Sequence, residues 1–157
     1  MQSLPAEFLA EALRLAREHA RSGGGPFGAV ITNGSDIISS GANQVTRAND
    51  PTAHAEIVAI RAACQRLGTF RLDGCVLYAS CEPCPMCLAA IYWARIPRVI
   101  FAATRGDAAQ AGFDDEAIYA ELARPLAERT VRMEHASVAD SAGPFQIWKA
   151  NARRVDY

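Results

Sequence analysis

The stretch that decides the fold is Ser80-Cys81-Glu82-Pro83-Cys84-Pro85-Met86-Cys87, taken with His54-Ala55-Glu56 upstream. Pro85 suits a first helical turn, where a missing amide costs nothing, so a helix is expected to open near Cys84. Side chains three apart at a helix start point to one side, which brings the Cys84 and Cys87 sulfurs together. The positive end of a helix lowers thiol pKa and favours the metal-binding thiolate. His54 is expected to open a second helix with its imidazole at the terminus. Three such donors leave a fourth position for water, as catalytic rather than structural zinc sites do. Glu56 stands beside the ligands without being needed as one, and is free to move protons.

Working outward, residues 75–80 read as a short apolar strand buried on both faces. The helix runs over 84–94, and a strand over 99–103 follows Pro97. Strand, helix, strand in that order implies a parallel crossover. Upstream, Phe8, Leu9, Ala12, Leu13, Leu15, Ala16 and Ala20 recur at helical spacing over 5–22, with a helix start at Ser3-Leu4-Pro5. Gly23, Gly24 and Gly25 end that helix, either as a flexible stop or as backbone able to approach a bound ring. Residues 27–31 and 36–40 are expected to pair antiparallel around the Asn33-Gly34 turn. A polar loop over 41–52 carries Asn43, Arg47, Asn49 and Asp50, a place where binding groups tend to sit. Pro51 and Thr52 lead into a helix over 53–67, stopped by Gly68.

Downstream, 108–123 is expected to hold a loop and a short helix, 130–134 a fifth strand, and 144–153 a last helix. The predicted architecture is an α/β fold of three layers, α/β/α, around a mixed and roughly five-stranded sheet. The 157 residues suit one domain, and no repeat or long linker divides them. Both metal-bearing helix starts follow loops at one edge of the sheet, where open α/β folds bind ligands.

Composition narrows the function. A net charge of -1, from 16 basic and 17 acidic residues, provides no basic stripe for a phosphate backbone. This weighs against a long nucleic acid as substrate. Five cysteines, an odd number, are not a disulfide framework; they fit a reducing cytoplasm, with Cys64 and Cys75 as small core residues. No apolar run is long enough for a membrane span, and the start of the chain lacks the apolar core of a signal peptide.

Two alternatives to an open metal site stay in view. Cys-x-x-Cys alone is also a redox pair or half of a structural zinc site. Cys81, three residues before Cys84, could close the metal as a fourth ligand, leaving a zinc-stabilised binding module and no task for Glu56. In the catalytic reading Cys81 is a packed thiol beneath the site.

His-x-Glu followed by Pro-Cys-x-x-Cys resembles the cytidine-deaminase superfamily of zinc deaminases. A closer resemblance, to the bacterial guanine deaminases of that superfamily, runs nearly end to end. It is carried by Gly25-Pro26-Phe27-Gly28-Ala29-Val30, Asn49-Asp50-Pro51-Thr52-Ala53-His54-Ala55-Glu56, Ser80 to Cys87 as quoted above, and Ile91-Tyr92-Trp93-Ala94-Arg95. It continues through Asp107-Ala108-Ala109, Ala111-Gly112-Phe113-Asp114-Asp115, Pro144-Phe145-Gln146 and the terminal Tyr157. The Gly-Phe-Asp-Asp run and the aromatic C-terminus are the more selective motifs.

The resemblance implies zinc-dependent hydrolysis of guanine to xanthine and ammonia. It implies one Zn2+ per subunit with a bound water or hydroxide, held by His54, Cys84 and Cys87, with Glu56 as the proton carrier. It implies substrate contacts from Asn43, Asp115, Phe27, Trp93 and Ala55. It also implies a homodimer whose subunits exchange a C-terminal segment of about residues 144–157, bringing Tyr157 to the neighbouring site. Deamination of adenosine in a transfer RNA loop, or of guanosine, cytosine or an aminotriazine, uses the same chemistry and remains open. Each contact also has a plainer role. Asn43 can bond its own backbone, Phe27 can be core, and Asp115 can cap the helix after it.

Overall fold

The computed structural model describes residues 6–157, so the expected helix start at Ser3-Leu4-Pro5 lies outside the described residues. Helix α1 (Ala6–Arg21) buries Phe8, Ala12, Ala16 and His19, a single stripe at helical spacing. Strands β1 (Gly28–Asn33) and β2 (Asp36–Ala42) form the expected antiparallel hairpin, and Gly34 takes the left-handed φ of 60° that its turn requires. The polar loop after β2 is not wholly irregular, since it contains the short helix α2 (Val45–Ala48). Helix α3 (Ala55–Leu67) ends at Gly68, whose φ of 65° gives the left-handed stop read from the sequence.

Strand β3 (Cys75–Cys81), helix α4 (Pro85–Trp93) and strand β4 (Arg98–Ala103) make the parallel crossover. Helix α5 (Arg105–Gln110) follows at once, started by a reciprocal capping box between Thr104 and Asp107. After it come α6 (Glu116–Ala123), a 3-10 turn (Leu126–Glu128) and α7 (Gly143–Ala150).

The sheet has four strands in the order β2-β1-β3-β4, with β1 antiparallel to both neighbours and β3 parallel to β4. This mixed sheet agrees with the predicted class but not with five strands. Residues 130–134 form no strand. Val131 and Met133, the apolar members of the stretch, are exposed, and the Thr130 amide donates to the Glu121 carboxylate at 2.6 Å instead of to a ladder. Two apolar residues with no face to bury do not fix a strand, however well they alternate.

Alternation does set the two faces of β1 and β3. Ala29, Ile31, Leu77 and Ala79 join one core with Ala55, Ala59 and Ala63 of α3 and Ile91 of α4. Val30 and Tyr78 point to the other face and pack with Phe8 and Ala12 of α1. Each fully buried Ile or Leu of this kind contributes about 1.5–3 kcal/mol. Two glycines let the layers close. A Cβ on Gly28 would meet the Ala12 carbonyl of α1, and one on Gly41 would meet the Ala55 carbonyl of α3. Gly41 thereby fixes the first turn of the helix that carries His54 and Glu56.

The chain gathers into two compact units, one running to Glu116 and the other Ala117–Tyr157. The sheet, α1 to α5 and every element described above as core belong to the first. In the second, Gly143 is the one buried residue.

Candidate metal centre

His54 is the N-cap of α3, and Cys84 is the N-cap of α4. Both hold extended backbone angles, and neither side chain caps its own helix, so both are available to a ligand. Pro85 occupies the first turn of α4, and Cys87 follows three residues after Cys84 on the same side. The loop between them and the sheet is tied down, because the Glu82 carboxylate accepts from the Arg105 amide at 3.1 Å. The approach to His54 is tied down as well. Asp50 accepts from both the amide (2.8 Å) and the hydroxyl (2.7 Å) of Thr52, and the His54 amide donates to the Thr52 carbonyl at 2.8 Å.

The three donors converge. His54 Nδ1 lies 3.5 Å from the sulfur of Cys84 and 3.5 Å from the sulfur of Cys87. Tetrahedral zinc, with Zn–N of about 2.0 Å and Zn–S of about 2.3 Å, places nitrogen and sulfur about 3.5 Å apart. The donor set therefore fits zinc in both element type and spacing. Cys81 is not part of this cluster. Its sulfur faces the Thr104 carbonyl at 3.5 Å, and the residue is buried in the position expected of a packed thiol. Among the described residues, no fourth His, Cys, Asp or Glu joins the three.

The electrostatics follow from that crowding. The Cys84 thiol is pulled down to about 4, first by the bond from Cys87 and next by the one from His54, against burial. The Cys87 thiol moves up, because the proton it shares with Cys84, its burial and the nearby Glu56 all resist a second negative charge. His54 is raised, chiefly by its bond to Cys84, with burial opposing. A divalent cation bound here would take the place of that shared proton and hold both sulfurs as thiolates. Glu56 is buried, with Oε2 accepting from Cys87 at 3.5 Å. Burial raises its carboxyl, with its backbone and Cys87 bonds opposing, which is the direction a general base for neutral pH requires. Ala55, fully buried between ligand and carboxylate, begins α3.

The remaining sequence-derived positions divide. Asp115 is half-buried, and its carboxyl is raised first by burial and then by the Cys84 charge. The helix cap expected of it belongs to Asp114, whose side chain accepts from the Glu116 amide at 2.9 Å. Asn43 is buried, and its Oδ1 accepts from the Val45 amide at 3.1 Å, so the plainer role is real for half of its carboxamide. Phe27 packs on the core and meets Phe113 edge-on, with ring centroids 4.9 Å apart. Trp93 is not brought to the centre of its own chain. It is exposed at the last turn of α4, about 12 Å along the axis from Pro85. Tyr157 belongs to the second unit and is exposed.

Some supporting residues escaped the sequence. Ser80 accepts from the Gly28 amide at 3.0 Å and ties the first residue of β1 to β3 beside the metal loop. A lone serine carries no signal for such a bond. The Asp50–Thr52 turn did carry one, since Asn-Asp-Pro-Thr is turn chemistry with its own side-chain acceptor.

The cytidine and deoxycytidylate deaminase zinc-binding region matches residues 3–103 as a family model. The chain belongs to that deaminase family. Within it, the chain is 53% identical to the guanine deaminase of Bacillus subtilis (strain 168), over 96% of this chain and 97% of that one. The X-ray structure of guanine deaminase from Bacillus subtilis superposes with a TM-score of 0.95 at 52% identity, covering 98% of this chain and 99% of the other. The tRNA-specific adenosine deaminase of Aquifex aeolicus (strain VF5) is 49% identical, but over 61% of this chain and 64% of that protein.

Proposed function

We propose that this chain is a zinc-dependent guanine deaminase that hydrolyses guanine to xanthine and ammonia. The observation that carries the chemistry is the His54 nitrogen 3.5 Å from two sulfurs, with the buried Glu56 carboxylate 3.5 Å from one of them. The choice of guanine is supported by likeness over 96% of the chain to a guanine deaminase, where the transfer-RNA enzyme matches 61%.

Zinc, which His54, Cys84 and Cys87 would hold, would supply a Lewis acid that brings the pKa of a bound water down to about 7. Glu56 accepts the proton of the attacking water and passes it to the ring nitrogen beside the reacting carbon. A second transfer through Glu56 goes to the exocyclic amine, so that water and guanine leave as xanthine and ammonia. Asn43 hydrogen-bonds the purine and Asp115 reads its polar edge. Phe27 packs against the ring, and Ala55 lines the floor between ligand and base.

The reading extends to a homodimer in the cytoplasm, acting on a free purine base rather than a nucleic acid. The whole chain forms one deaminase domain, with residues of about 144–157 exchanged between subunits so that Tyr157 closes the neighbouring pocket and Trp93 lines it. Support comes from the apolar surfaces. Tyr92, Trp93 and Phe101 are exposed in the first unit, and the second exposes Phe145, Ile147, Val155 and Tyr157 while burying none of them.

Ammonia release from guanine, guanosine, cytosine, adenine, an aminotriazine and a transfer RNA anticodon stem-loop separates the possibilities. Release from guanine supports the proposal. Release from the RNA alone supports the adenosine reading, and silence across the panel leaves a zinc-stabilised binding module.

A further inference from the structure

After α1 the chain turns through Ser22-Gly23-Gly24-Gly25, and this loop is held from two sides. The Gly24 amide and the Ser22 hydroxyl both donate to the His19 carbonyl, at 3.0 and 2.8 Å. The buried His19 imidazole fills the space a Gly24 side chain would need, since a Cβ there would come within 2.8 Å of its Cε1. Its Nε2 has no hydrogen-bond partner, so the ring serves here as a packing surface. From the opposite side, Arg47 of α2 donates to the Ser22 hydroxyl at 2.8 Å and to its carbonyl at 3.4 Å.

The result is to lay Gly25 flat against Asn43. A Cβ on Gly25 would sit 3.0 Å from Cγ, 3.1 Å from Oδ1 and 3.3 Å from Nδ2 of the carboxamide. Three nearly equal distances mean that the glycine faces the plane of the amide. At one edge of that plane the Val45 amide holds Oδ1 at 3.1 Å. The carboxamide cannot turn over without losing that bond, so its NH2 end points away from Val45.

We infer that Gly25 is a positioning residue: the Ser22–Gly25 loop, gripped by Arg47, fixes the Asn43 amide with its donor end toward the base. The inference rests on Asn43 as the purine-binding amide.

A double-mutant cycle on the zinc-loaded protein tests it. Gly25→Ala is expected to raise KM for guanine about tenfold, with kcat within about twofold and zinc content unchanged. Asn43→Ala also raises KM, and adding Gly25→Ala to it is expected to raise KM no further. Ser22→Ala, which removes the hydroxyl that Arg47 grips, is expected to raise KM about threefold and to be silent on Asn43→Ala. Where melting shows Gly25→Ala to be unfolded, Ser22→Ala and Arg47→Ala run the same cycle. Additive effects, or unchanged KM in the single variants, overturn the inference alone. Absence of guanine turnover in the unaltered protein overturns the substrate reading and this inference with it.

Discussion

The Glu56 carboxylate lies 3.5 Å from the sulfur of Cys87, close to the metal trio and not a member of it. Ligation and proton transfer are therefore separable by mutation. Glu56→Gln should keep one zinc per chain and lose about 10²–10⁴-fold in kcat. His54→Ala and Cys84→Ala should lose the zinc itself. Metal analysis beside a rate assay checks both, and a Glu56→Gln protein with full turnover would remove the proton role.

Burial of Glu56 also has a thermodynamic signature in the chelator-treated protein. Its folded pKa is raised, so the fold holds the proton more tightly than the unfolded chain does. That contribution is fully present below the unfolded value of about 4.3 and is lost as pH rises through the raised folded value. Metal-free Glu56→Gln should consequently melt above the metal-free wild type at pH 7–8, by about 2–4 °C for each kcal/mol of burial cost. The gap should close toward pH 4. Melting curves across that range decide it, and a gap independent of pH would contradict the assignment.

Gly41 should couple packing to the metal. Gly41→Ala drives a methyl into the Ala55 carbonyl and to 2.8 Å from the Ala59 amide, so it should cost about 1–3 kcal/mol and weaken zinc affinity by shifting His54. Gly68→Ala, at a φ of 65° with open space around it, should cost about 1 kcal/mol and leave zinc affinity unchanged. Denaturant unfolding paired with zinc titration separates the two.

Most of this was legible because the deciding signals are local. Pro85 beside two cysteines, Asn33-Gly34 between apolar runs, and Gly68 after a helical stretch each bind a residue type to one backbone state. The fifth strand failed for the opposite reason. Val131 and Met133 alternate correctly, but a strand exists only when another strand receives it. The trio and Glu56 could be read because helix starts place them, whereas the Gly25–Asn43 contact joins residues 18 apart through a loop whose path no local rule fixes. Asp114 and Asp115 show the limit clearly. Adjacent and chemically identical, one is exposed and holds the first amide of α6, while the other is half-buried with its carboxyl raised by that burial.

Removal of residues 144–157 should reduce dimer content and lower kcat/KM for guanine by at least about tenfold, since an apolar segment without a core of its own needs a second surface. Sedimentation and steady-state rates measure the two effects. Unchanged assembly and kinetics would end the exchanged-segment proposal.

Xanthine formation from guanine, by protein carrying one zinc per chain, remains the decisive measurement. Turnover should vanish with a chelator and return when zinc alone is restored. A chain that holds its zinc firmly and still leaves guanine unaltered would contradict the hydrolytic role of this site.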